Sequence, residues 1–142
     1  FNEQEWKGVP RNISAQNQWF SQAVLSAEQR DWKMYLSPET DLNRPATRGE
    51  VLVTLLQAMD VPLRWPTGSM YGDVQRRTPY ASAIETASIE KLVEGKKNAD
   101  GVLNGLFGPT DPINRAELAK LVSVIIEKSE KQTDEDKSFR NR

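Results

Sequence analysis

Four stretches of this chain carry apolar residues at helical spacing, and polar or proline-rich segments separate them. From Trp19 the apolar positions Trp19, Ala23, Val24 and Ala27 advance by four, one and three, one face of a helix that should end near Asp31 or Trp32. The second stretch carries Val51, Leu52, Leu55, Leu56 and Met59, and Asp60-Val61-Pro62 stops it. Thr47 stands before it with Glu50 three residues on, the spacing of a capping box in which hydroxyl and carboxylate each take the other residue's amide. A third pattern through Ala83, Ile84 and Ala87 predicts a helix from about Pro79 to Leu92. The fourth opens at Asn114, again with an acid three residues later in Glu117, and continues through Leu118, Leu121, Val122, Ile125 and Ile126. The expected fold is all-α: helical hairpins joined by long loops over a core of Val51, Leu52, Leu55, Ile84, Leu118, Val122 and Ile125.

The segments between are less regular. Residues 1–18 read as an irregular arm that docks through Trp6, Val9 and Ile13, and Asn12-Ile13-Ser14 has the form of a glycosylation acceptor, a triplet frequent by chance. Met34-Tyr35-Leu36 reads as a short extended piece before Ser37-Pro38. Residues 62–70 form a linker that holds Trp65, and the loop from Gly95 to Pro112 has enough glycine for two tight turns around an extended Val102-Leu103. From Glu127 ten of sixteen residues are charged, five of each sign, so 129–142 reads as a solvated, fraying tail.

The chain also repeats itself. With Pro45 set on Pro112, an offset of 67, Thr47-Arg48-Gly49-Glu50 falls on Asn114-Arg115-Ala116-Glu117, and Val51, Leu55 and Met59 fall on Leu118, Val122 and Ile126. Upstream, at an offset of 60, Trp19 to Val24 falls on Pro79 to Ile84. Two copies of helix, long loop and capped helix result, over 19–61 and 71–128.

Composition narrows the chemistry. The chain has 142 residues, 37% hydrophobic and 27% charged, enough to bury a core without staples. With no histidine the usual general base near neutral pH is missing, and with no cysteine there are no disulfides, thiolate metal sites or thiol nucleophiles. A net charge of -1 gives no basic field to collect nucleic acid. No apolar run is long enough to span a membrane. A start at Phe1 suggests a processed or trimmed chain. Asn98-Ala99-Asp100-Gly101 hints at a calcium loop, but Lys96 and Phe107 would occupy its first and last ligand positions, and no glycine-rich phosphate loop with its lysine is present. No cofactor or metal is expected, and no acid-base pair for carbohydrate hydrolysis stands out.

The order of parts from Tyr71-Gly72-Asp73-Val74 through the alanine-rich helix, Leu92-Val93-Glu94-Gly95, Phe107-Gly108-Pro109 and Ile113-Asn114-Arg115-Ala116-Glu117 resembles the S-layer homology repeat. Residues 19–59 resemble its second half. Lys91, where the family usually has glycine, and a long loop to Phe107 depart from the pattern. Family members usually combine three repeats, and two are counted here.

The resemblance implies a non-catalytic, extracellular module that holds proteins to cell-wall polysaccharide, pyruvylated polymer included. It implies ligand contacts at Arg48 and Arg115, the arginines of the motif, with Thr47 and Asn114 beside them. A guanidinium near free backbone amides at a helix start would suit a ketal carboxylate. The alternative for both arginines is pairing with an acid of the neighbouring repeat. Tyr80 and Trp19 could stack on a sugar face, or belong to the core. Asp73 is expected to take part in the site or to bracket the turn before Pro79. The second functional reading is an assembly subunit that pairs with its own copies or with another surface protein.

Overall fold

A local device starts or stops each helix in the computed structural model, which describes residues 8–141. The four α-helices are α1 (Ser21–Gln29), α2 (Arg48–Ala58), α3 (Ala81–Ile89) and α4 (Arg115–Arg140). Among the described residues there are no strands, only three isolated bridges, so the fold is all-α. Both predicted capping boxes form. Thr47 Oγ1 accepts from Glu50 N at 3.2 Å and Glu50 Oε2 accepts from Thr47 N at 2.9 Å. Asn114 Oδ1 and Glu117 Oε2 do the same at the start of α4, at 2.9 and 3.3 Å. Each cap satisfies amides that the helix cannot, typically worth about 1 kcal/mol.

The other ends of α1, α2 and α3 share one closure. Asp31, Asp60 and Lys91 have φ of 53°, 54° and 55°, and the amide after each reaches back to a helix carbonyl: Trp32 to Ala27, Val61 to Leu56 and Leu92 to Ala87. A residue with a Cβ is strained in this region. The departure from family pattern at Lys91 is therefore a backbone matter. We expect Lys91→Gly to raise stability by about 0.5 kcal/mol, because relief of a left-handed penalty of about 1–2 kcal/mol outweighs glycine's entropic cost. A urea midpoint that fails to rise would contradict this.

The core lies between α2 and α3. Leu52, Val53 and Leu56 meet Ala83, Ile84 and Ala87, and Val74, Leu92, Phe107, Leu121 and Ile125 complete the buried cluster. Small residues along α3 let α2 approach closely, and Gly49 lies against Tyr80, Ile84 and the Pro109 carbonyl. Leu118 and Val122, expected in the core, instead lie on an open face of α4, 37% and 36% exposed, while Leu121 takes the buried position. Periodicity identified an apolar helix here but could not say which side would meet a neighbour.

Other expectations are corrected. Val9 and Ile13 are exposed, so the arm does not dock by them, and Trp6 lies outside the described residues. Buried Glu28 anchors the arm instead, accepting from the amides of Arg11 and Asn12 at 2.9 Å each. Asn12 is fully buried and donates to the Ser37 and Thr40 carbonyls, which makes it inaccessible as a glycosylation acceptor. Lys33–Tyr35 is a 3-10 turn rather than an extended piece. The charged segment does not end the last helix, because α4 runs through it to Arg140 with its residues exposed. Glu127 and Lys131, like Asp136 and Arg140, stand four apart, and Lys137 and Arg140 lie at the negative end of the helix dipole.

Buried Glu85 does for the 62–70 linker what Glu28 does for the arm, accepting from Thr67 N, Thr67 Oγ1 and Gly68 N. Burial raises the pKa of Glu85, but these hydrogen bonds, those of Thr67 foremost, hold it below the usual glutamate value of 4.5. For Glu50 burial again pushes up, and the hydrogen bonds from Arg44 and Thr47 bring it below that value. A carboxyl depressed in the folded state contributes stability above its unfolded pKa, and the contribution is lost as pH falls through the folded value. Stability should therefore decline as pH falls below about 4.5, and Glu85→Gln should flatten that decline in urea melts at pH 3 to 5. An unchanged slope would remove Glu85 from this role.

Candidate functional site

Arg48 begins α2 and reaches across to the second half of the chain. Its Nη1 donates to Glu117 Oε1 at 2.9 Å, its Nη2 to the Glu94 carbonyl at 3.4 Å, and its guanidinium carbon lies 4.6 Å from the centre of the Phe107 ring. The side chain is 15% exposed, and Nε is buried without a protein partner. A guanidinium on an aromatic face with one carboxylate partner is held in one orientation. The structural alternative, pairing with an acid of the other half, is thus realised, and the side chain lines a groove.

The loop that supplies Phe107 is itself held in place. Asp73 accepts from Phe107 N at 2.8 Å and Gly108 N at 2.7 Å, one amide on each carboxylate oxygen. Asp73 therefore shapes the wall behind Arg48 and does not bracket the turn before Pro79. In that turn Gln75 N donates to Thr78 Oγ1. The close approach of this loop also explains Gly95: a methyl group there would sit 2.8 Å from the Tyr71 ring and 2.9 Å from the Leu106 carbonyl. The Asp-Val opening, the Gly95 turn and the Phe-Gly-Pro loop are parts of one clamp.

The groove beside Arg48 has a volume of about 530 Å³, and Lys91, Lys96, Lys97, Lys120, Glu94 and Glu117 are among the residues that line it. Five cations face two carboxylates, on a chain whose net charge is -1. Glu94 pairs with Lys97 at 3.0 Å and Lys96 pairs with Asp111. The lysine pairing lowers the Glu94 pKa. Sequence reasoning missed these lysines. Lys96 and Lys97 lie in a loop whose path depends on Asp73, while Lys91 comes from the end of α3 and Lys120 from α4, so no local spacing marks them as a group.

The amides at the start of α2 are not free, contrary to the expectation for an anion at the helix end. Arg48 N donates to the Asp111 carbonyl, Gly49 N to the Pro109 carbonyl and Glu50 N to Thr47. Recognition in the groove falls to side chains. Thr47 and Asn114 serve as caps. Arg115 is exposed and makes no ion pair among the described residues, so it does not join Arg48. Tyr80 is half-buried against Gly49, with its hydroxyl 3.8 Å from Met34 Sδ, which makes it a packing residue. Trp19 is 93% exposed and meets Phe20 edge-on at the rim of a separate cleft. Trp65 is also exposed.

Residues 71–119, about a third of the chain, match the family model of the S-layer homology domain. The segment runs from the Tyr71 turn to the first turns of α4 and carries Asp73, Phe107, Arg115 and Glu117. The match is to one copy of that domain, a type of module associated with the cell surface and with anchoring to the cell wall. Neither a curated protein nor a solved structure matches the chain significantly. No helix among the described residues is long and apolar enough to cross a membrane.

Proposed function

We propose that the chain is a non-catalytic, extracellular anchoring module built of two S-layer homology-like repeats, which binds an anionic cell-wall polysaccharide in the groove beside Arg48. The excess of cations in that groove carries the proposal. A sugar polymer bearing carboxylates, such as pyruvyl ketals, would be drawn to the lysines and oriented by the fixed guanidinium fork. The matching capping boxes of α2 and α4, and the matching left-handed closures at Asp31 and Lys91, support the repeat reading. In this reading the groove lies between the repeats, with Arg48 from the first and the loop and Glu117 from the second.

Co-sedimentation with peptidoglycan-polysaccharide sacculi tests anchoring. The chain should pellet with intact sacculi and stay in solution once the attached polymer is removed chemically. Retention on stripped sacculi, or none on intact ones, would sink the proposal. The second reading, an assembly subunit, is favoured by one observation, the open apolar face of α4.

A further inference from the structure

Leu118, Val122 and Ile126 stand four apart on α4, are 37%, 36% and 50% exposed, and lie on one face with Arg115. Sixty-seven positions earlier the same places on α2 and its C-cap are Arg48, Val51, Leu55 and Met59. There the three apolar side chains pack against the core and the arginine is paired with Glu117. One face is thus packed against the core, and its counterpart is open.

The surface that would cover it has a counterpart too. A cleft of about 570 Å³ lies against α1, lined by Phe20, Ala23, Trp32, Tyr35 and Glu50 among others, and no residue of α4 contributes to it. Glu50 stands 67 positions before Glu117, the partner of Arg48. Its carboxylate already accepts from Arg44 Nη1, Arg44 Nη2 and Thr47 N. A carboxylate has about four acceptor sites, which leaves one for a further donor.

We propose that the α4 face of one molecule docks head to tail into the aromatic cleft of a second copy of this chain, with Arg115 beside the partner copy's Glu50. The apolar stripe meets aromatic side chains, and the arginine meets a carboxylate as Arg48 meets Glu117 within one chain. The proposal rests on the repeat reading and is independent of polysaccharide binding. The contact is heterologous, joining two different patches, so a pair closes only if each copy docks into the other.

Sedimentation velocity or light scattering without polymer, from about 1 to 100 µM, tests it. Above-monomer mass should appear as concentration rises. Val122→Glu and Ala23→Glu both alter exposed helix positions, so the fold should survive, which circular dichroism melts can check. Each variant alone should associate at least tenfold more weakly. Their equimolar mixture should restore a heterodimer, because one intact face and one intact cleft remain. Wild-type chain at 16.1 kDa throughout would overturn the proposal and leave the α4 face to another partner. Undiminished association of Ala23→Glu would also overturn it, in favour of α4 pairing with α4. Neither failure bears on sacculus binding, which is measured separately.

Discussion

Phe107→Ala should destabilise the protein by about 3–5 kcal/mol, the usual range for removing a buried aromatic ring. The ring is fully buried and lies against Tyr71, with centroids 5.3 Å apart. It also carries the Arg48 guanidinium on its face. Domains of this size are stable by roughly 5–15 kcal/mol, so the variant should sit near its unfolding midpoint in mild denaturant. Urea unfolding followed by tryptophan fluorescence measures the loss. A cost under about 1 kcal/mol would place Phe107 outside the core.

The second large effect is expected at Asp73. Its carboxylate is the partner of two backbone amides in a buried loop, and Asp73→Ala leaves both Phe107 N and Gly108 N without one. Each unsatisfied buried group costs about 1–3 kcal/mol, though water entering the site would offset part of it. Asp73→Asn keeps one good acceptor and should fall between. Amide exchange at Phe107 and Gly108 should accelerate in step with the lost stability, and slow exchange in Asp73→Ala would show that something else holds the loop. Because the loop forms the wall behind Arg48, both variants should also loosen the groove.

These two residues show where the sequence was readable. Thr47 with Glu50, and Asn114 with Glu117, were legible because a capping box needs only four consecutive positions. Arg48 was legible as a residue of interest through the family pattern. Its partners were not, because Glu94, Phe107 and Glu117 lie 46, 59 and 69 positions away and only the folded loop brings them together. Asp73 reads in sequence as a turn residue for its neighbours. Its true partners are 34 and 35 residues on. The lysines of the groove carry no shared spacing signal, since Lys96 and Lys97 come from a loop without a fixed period, Lys91 from the end of α3 and Lys120 from α4. Leu118 and Val122 failed for a related reason, in that apolar periodicity marks a face and leaves open whether the molecule itself covers it.

The weight between the two arginines also shifts. The family pattern in the sequence treats Arg48 and Arg115 alike. The structure gives Arg48 a groove, an aromatic support and four neighbouring lysines, and leaves Arg115 exposed on the open face of α4. Binding of wall polymer and docking of a second copy are thus assigned to different arginines, which separates the two ideas experimentally.

The most direct test of the central claim is the affinity of purified cell-wall polysaccharide for the wild-type chain, Arg48→Ala, Arg48→Lys and Arg115→Ala, by titration calorimetry at low and high salt. Binding should be saturable and weaken with salt, with a loss of more than about tenfold for Arg48→Ala, roughly 1.4 kcal/mol or more, a partial loss for Arg48→Lys, and little change for Arg115→Ala. Unfolding curves of Arg48→Ala should show the fold retained. Wild-type affinity in a folded Arg48→Ala, with or without a loss in Arg115→Ala, would contradict the assignment of the groove as the polysaccharide site.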